Sequence, residues 1–116
     1  MFFGLLVIVL WRGVLPAFVN VSSDFPNYYA ASRLLITGQA SNGIYDNAWF
    51  GTMAERMGLS RDSRFIPFPP PTIFLLAPIA WLSPLHALRV WTAINIALAA
   101  YSIRLLAVLS RRDWRW

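Results

Sequence analysis

Phe68–Leu82 reads FPPPTIFLLAPIAWL: fifteen residues with no charge and four prolines. A helix needs about 20 apolar residues to cross a hydrocarbon core about 30 Å thick, so this stretch is short for a span. Pro69, Pro70 and Pro71 suit a helix entry, because their missing N–H groups would go unpaired in a first turn anyway. The sequence therefore predicts a membrane helix over residues 66–83, the second of three. The competing reading is a re-entrant segment that enters and leaves the membrane by one face.

The flanking segments are longer. Leu85–Ser110, LHALRVWTAINIALAAYSIRLLAVLS, follows a Ser83-Pro84 reversal and carries no formal charge between Arg89 and Arg104. Those arginines lie near the ends of a helix rising about 1.5 Å per residue, where they snorkel to the interface. Ala93, Ala97 and Ala100 recur at spacings of four and three, a smooth stripe for packing against partner helices. Met1–Val21, MFFGLLVIVLWRGVLPAFVNV, is long enough to span but holds Arg12 at its middle. A charge there costs about 2.5–3.5 kcal/mol unless it faces protein or water. The segment lacks the basic start and small-residue cleavage site of a secretory signal, so it reads as an uncleaved membrane helix over 1–22.

Composition agrees: of 116 residues 58% are hydrophobic and 13% charged, and the mean hydropathy is +0.53. A soluble domain is near a quarter charged. The expected fold class is an all-α membrane protein, a single membrane domain over 1–116 with about three transmembrane helices (1–22, 66–83 and 85–110), a long loop over 23–65 and a basic tail over 111–116. No cysteine is present, which excludes disulfides and thiolate metal sites. The net charge of +5 comes wholly from arginines placed beside apolar segments rather than in one stripe, which argues against nucleic acid and for membrane lipids. With three spans, loop and tail share a side, and arginine in both conflicts with the positive-inside rule.

The loop opens with Asp24–Asp46, DFPNYYAASRLLITGQASNGIYD. Ser23 or Asp24 is a good N-cap, Pro26 falls in a first turn and Gly38 is placed as a stop, so a short helix over about 25–37 is expected. Tyr28, Ser32 and Leu35 share one face, and Tyr29 and Arg33 the next. Such a helix would lie along the membrane with its tyrosines at headgroup depth. Taken singly, Asp24 suits a helix cap, Asp46 a turn, Tyr28, Tyr29 and Tyr45 interfacial anchors, and Arg33 a headgroup phosphate partner. No glycine-rich phosphate loop, zinc-ligand pair or serine elbow is present.

The order of these pieces resembles the N-terminal region of the family 87 glycosyltransferases, polytopic membrane enzymes of the GT-C superfamily that transfer sugars, typically mannose, from a polyprenyl phosphate donor. The elements that carry the resemblance are Asp24, Phe25, Tyr28-Tyr29-Ala30-Ala31, Gly38, Tyr45-Asp46, Phe68-Pro69-Pro70, the APIAWL run and Trp91, over about Ser22 to Ile96. The resemblance implies a partial GT-C-type fold in the cell membrane, multi-pass, with the loop extracytoplasmic. It implies Asp24 as the catalytic base; Tyr28, Tyr29, Arg33 and Asp46 are the candidates to line the substrate side, with Arg33 the candidate to meet the donor phosphate, a position that the resemblance itself does not fix. A carboxylate that takes the acceptor proton contributes about 10²- to 10⁴-fold, and arginine can meet the charge of the leaving lipid phosphate, so neither a metal nor another cofactor is called for. The donor is then a polyprenyl-phosphate sugar and the acceptor a lipid or glycan, with inversion at the anomeric centre. Family members are several times longer, so the chain would be their first quarter and inactive alone, its SRRDWRW ending a truncation or split, its pocket completed by missing helices or a partner membrane subunit. Two other classes stay open: a non-catalytic membrane scaffold or assembly subunit, and a transporter or channel subunit relying on Thr92, Asn95 and Ser102.

Overall fold

The computed structural model describes residues 2–21, 24–65 and 69–110; helices joined by turns and irregular loops make up this part of the chain, with no strand among the described residues. Ser22, Ser23, Phe68 and the 111–116 tail, each part of an expectation above, lie outside the described residues. The largest element is α5 (Pro84–Ser110). Among the described residues it is the helix long and apolar enough to cross a membrane. Its first turns bury Ala87 and Leu88 against the rest of the chain, and from Ala93 onward every side chain is exposed, the three stripe alanines included.

The N-terminal segment is one helical run in three parts: α1 (Phe2–Val9), a π turn (Leu10–Val14) and α2 (Leu15–Ala17). Pro16 explains the middle part. It has no N–H to return to the carbonyl of Arg12 and its ring crowds that turn, so the helix widens there and the Leu15 N–H reaches back to the Leu10 carbonyl. Arg12 and Gly13 sit in the widened turn.

Between the two apolar ends the chain builds a compact unit around α3 (Phe25–Ile36). The helix matches the expected span, with Pro26 in its first turn. Gly38, at φ 69°, closes it: the Gly38 N–H bonds the Leu35 carbonyl and the Gln39 N–H the Leu34 carbonyl. This paired closure needs a left-handed residue and so favours glycine. Contrary to the surface-lying expectation, α3 is the core helix of the unit. Tyr29, Ala30, Ala31, Ser32 and Leu34 are all buried, and Tyr29 is 2% exposed rather than at headgroup depth.

A 3-10 turn (Asn42–Tyr45) then leads into α4 (Asn47–Arg56), a helix the sequence reading passed over as loop. Phe50 and Ala54 bury one face of α4, and the Phe65 ring lies tilted against those of Phe50 and Tyr45, with centroids 6.1 Å and 5.4 Å away. Gly58, at φ 78°, closes α4 as Gly38 closes α3. Asn27 Oδ1 accepts the Arg64 N–H at 2.8 Å and so holds the following loop over the start of α3.

Residues 69–82 depart most from expectation. The predicted span is instead two 3-10 turns, Pro70–Phe74 and Ala77–Ile79, separated by bends at Leu75 and Leu76. Pro78 is the local cause, since an α-helix would require its missing N–H to meet the Phe74 carbonyl. The tertiary cause lies on α3. Ser32 Oγ donates to the Ile73 carbonyl, the Arg33 guanidinium to that of Ala80 and the Tyr29 hydroxyl to that of Leu82, each at 2.6 Å. Three side chains of one helix thus hold the folded segment, which packs Leu76 and Ala80 inward.

The close approach at Gly51 of α4 gives a direct check, because a Cβ there would collide with the Arg61 carbonyl. Gly51→Ala is expected to destabilise the unit by about 1–3 kcal/mol despite its better helix propensity. Gly4→Ala, at a site with open space, should show no such loss in the same thermal unfolding assay in detergent.

Candidate functional site

A cleft of about 620 Å³ opens where the N-terminal run, α3, the folded segment and α5 converge. Its walls are apolar, from Phe25, Leu75, Leu76, Leu88 and Trp91, and its polar groups are Arg12, Asn20, Asp24 and Tyr28. Arg89, near the start of α5, donates through Nε to the Phe18 carbonyl at 3.3 Å and keeps the end of the N-terminal run against α5. The cleft depends on that closure, since both sides contribute lining residues.

Asp24 occupies the residue before α3, where a side chain ordinarily accepts the first free N–H groups. It does not do so here. Its backbone is helical (φ −82°, ψ −11°) and its side chain makes no capping bond, while its carbonyl accepts from the Asn27 and Tyr28 N–H groups. The carboxylate is exposed and borders the cleft, with no ion-pair or hydrogen-bond partner among the described residues. Asp46 shows the opposite outcome. With an extended backbone (φ −86°, ψ 112°) it caps α4, its Oδ1 accepting the Ala48 and Trp49 N–H groups at 2.9 Å and 3.0 Å.

Of the five residues singled out from sequence, the cleft brings together Asp24 and Tyr28. Tyr29 and Arg33 lie behind it, bonded to Leu82 and Ala80, and Asp46 lies away from it at the start of α4. Burial pushes the Tyr29 phenol above its usual value of 10.0, and the Arg33 cation beside it offsets part of that rise. The hydroxyl therefore stays protonated at neutral pH and is a permanent donor. Arg33 also borders a smaller notch of about 240 Å³ together with Arg56.

Arg12 is the cleft residue that sequence reading treated only as a flaw in a membrane helix. A charge inside an apolar helix is by default a functional signal, and Gly13 and Pro16, which widen the turn around it, strengthened that signal. Arg12 is five residues from the end of the run at Ala17, about 7.5 Å along a helix axis, and borders the cleft. Among the described residues no group of three His, Asp or Glu side chains is placed to hold a metal ion. The cleft brings together a carboxylate, a guanidinium able to meet an anion and an apolar wall.

No family model, curated protein or solved structure matches this chain.

The two aspartates yield opposite expectations. Asp46→Ala removes a cap and should cost about 1 kcal/mol of stability. Asp24→Ala should change it by less than about 0.5 kcal/mol, because the side chain is exposed and caps nothing among the described residues; both follow from unfolding curves of the purified chain. Tyr29 adds a pH dependence. Its folded-state pKa lies above the unfolded value, so its contribution is complete below pH 10.0 and is lost as pH rises through the folded value. Tyr29→Phe should cost about 1 kcal/mol at neutral pH and flatten the alkaline fall in stability.

Proposed function

We propose that the chain is the N-terminal part of an integral membrane glycosyltransferase that moves a sugar, mannose by the family resemblance, from a polyprenyl-phosphate donor to a lipid or glycan acceptor. The observation that carries this reading is the Asp24 carboxylate, without a partner among the described residues, at the start of α3 and opening on an apolar cleft that also holds Arg12. In the reaction the acceptor hydroxyl gives its proton to Asp24 as its oxygen attacks the anomeric carbon. The bond from that carbon to the phosphate oxygen breaks, the electron pair leaves with the polyprenyl phosphate, and a single displacement inverts the centre. Arg12 meets the charge of the leaving phosphate, a part the sequence alone suggested for Arg33. Tyr28 borders the same space and orients the sugar.

In this reading α5 crosses the cell membrane, the Phe2–Ala17 run, shorter than the about 20 residues a span needs, enters it beside α5, the α3 unit lies on the extracytoplasmic side, and the chain is a partial GT-C-type unit. The exposed alanine stripe of α5 supports further helices closing the cleft, from the same enzyme or a partner subunit. The bare α5 surface also favours one second reading, a non-catalytic assembly subunit that uses α5 to hold partner helices.

Sugar transfer from a labelled polyprenyl-phosphate donor, measured in membranes containing the complete enzyme, separates the two. Asp24→Asn should lower transfer by about 10²- to 10⁴-fold with membrane insertion and thermal stability unchanged. Arg12→Gln should also lose transfer, with Arg12→Lys recovering part of it. Near-normal transfer by Asp24→Asn rules out the enzyme reading.

A further inference from the structure

The folded segment at 69–82 has two faces of different character. Its inner face packs Leu76 and Ala80 against the α3 unit, where both are nearly inaccessible. Its outer face presents Pro70, Pro71, Phe74, Leu75, Pro78 and Trp81, all exposed, with Phe74 at 63% and Trp81 at 68%. No charged residue occurs from Pro69 to Leu82 and the one polar side chain, Thr72, donates to the Pro69 carbonyl at 2.7 Å. The Trp81 indole N–H is likewise taken by a local backbone acceptor, the Pro78 carbonyl at 2.9 Å. Six exposed apolar residues in one short segment without a free polar side chain make a surface of the kind that marks an interaction site.

The backbone points the same way. Irregular backbone is tolerated at membrane depth only where its polar groups find partners within the protein. Pro69, Pro70, Pro71 and Pro78 carry no N–H to satisfy. The carbonyls of Ile73, Ala80 and Leu82 are taken by Ser32, Arg33 and Tyr29 of α3. The segment is also continuous with α5, the membrane-length apolar helix, across the short Ser83 connection. We infer that residues 69–82 form a re-entrant element that dips into the lipid bilayer on the side where the α3 unit sits, with Phe74 and Trp81 in contact with acyl chains, and returns to that side before α5 crosses. α5 is then the crossing that follows, and it leaves the α3 unit and the start of α5 on one side of the bilayer.

The inference rests on the membrane reading of α5 and not on the chemistry of Asp24. The absence of cysteine allows clean single-cysteine variants. Phe74→Cys, Trp81→Cys, Leu98→Cys on α5 and Glu55→Cys on α4 all replace exposed side chains, so none disturbs the core. Each carries a nitroxide in vesicles of phosphatidylcholine and phosphatidylglycerol, and collision with oxygen is compared with collision with an aqueous nickel chelate. The ratio at 74 and 81 should match that at 98 and exceed that at 55 several-fold. Membrane-impermeant maleimide should reach Glu55→Cys and His86→Cys from the same side of sealed vesicles. Aqueous values at 74 and 81 beside a lipid value at 98 overturn the re-entrant element alone; an aqueous value at 98 overturns the membrane reading with it. Shelter of 74 and 81 from both reagents means a protein partner covers them, and labelling of 55 and 86 from opposite sides means a full span; either contradicts the inference.

Discussion

Three backbone carbonyls, at Ile73, Ala80 and Leu82, find their partners on one face of α3. Prolines break the 69–82 segment and leave it unable to close its own hydrogen-bond ladder. Inside an apolar shell each unpaired carbonyl would cost about 1–3 kcal/mol. Tyr29, Ser32 and Arg33, at spacings of three and four, answer that demand from a single helix face. Ser32 is fully buried and Tyr29 nearly so, so these bonds are shielded from competing water. The position of the segment, and through Ser83 that of α5, follows from them.

The same rotation of α3 decides what reaches the cleft. With Tyr29 and Arg33 turned toward the segment, Asp24 and Tyr28, four residues apart, share the neighbouring face and look into the space bounded by Arg12 and Trp91. Successive helix residues are about 100° apart, so Tyr28 and Tyr29 cannot do the same work. One tyrosine borders the candidate site while the next anchors the scaffold behind it. The buried face fixes the direction of the exposed one, and a carboxylate relieved of capping is held where its geometry can serve chemistry.

Much of this was legible in the sequence where the signal is local. Pro26 and Gly38 mark the ends of α3, and the uncharged interval between Arg89 and Arg104 marks α5. Where outcome depends on tertiary partners, the sequence was silent. FPPPTIFLLAPIAWL has the composition of a span, and only Pro78 hinted that its carbonyls would seek donors elsewhere. Asp24 and Asp46 are the same residue type before two helices, yet one backbone is helical and the other extended, and that difference decides which carboxylate caps. Asp46 followed by apolar positions at 49, 50, 53, 54 and 57 was the missed signal for α4. Arg12 read as a defect because its neighbour across the cleft lies twelve residues away in sequence.

The central claim is that α3 side chains, rather than a continuous helix, satisfy the backbone of residues 69–82. Ile73-Phe74 is the only Ile-Phe pair in the sequence, so labelling Ile carbonyls with carbon-13 and Phe amides with nitrogen-15 isolates the Ile73 carbonyl as one solid-state NMR correlation in lipid bilayers. The account predicts a carbonyl shift in the hydrogen-bonded range that moves upfield in Ser32→Ala while the α5 helical resonances stay fixed. An Ile73 carbonyl whose shift is the same with and without the Ser32 hydroxyl would contradict it.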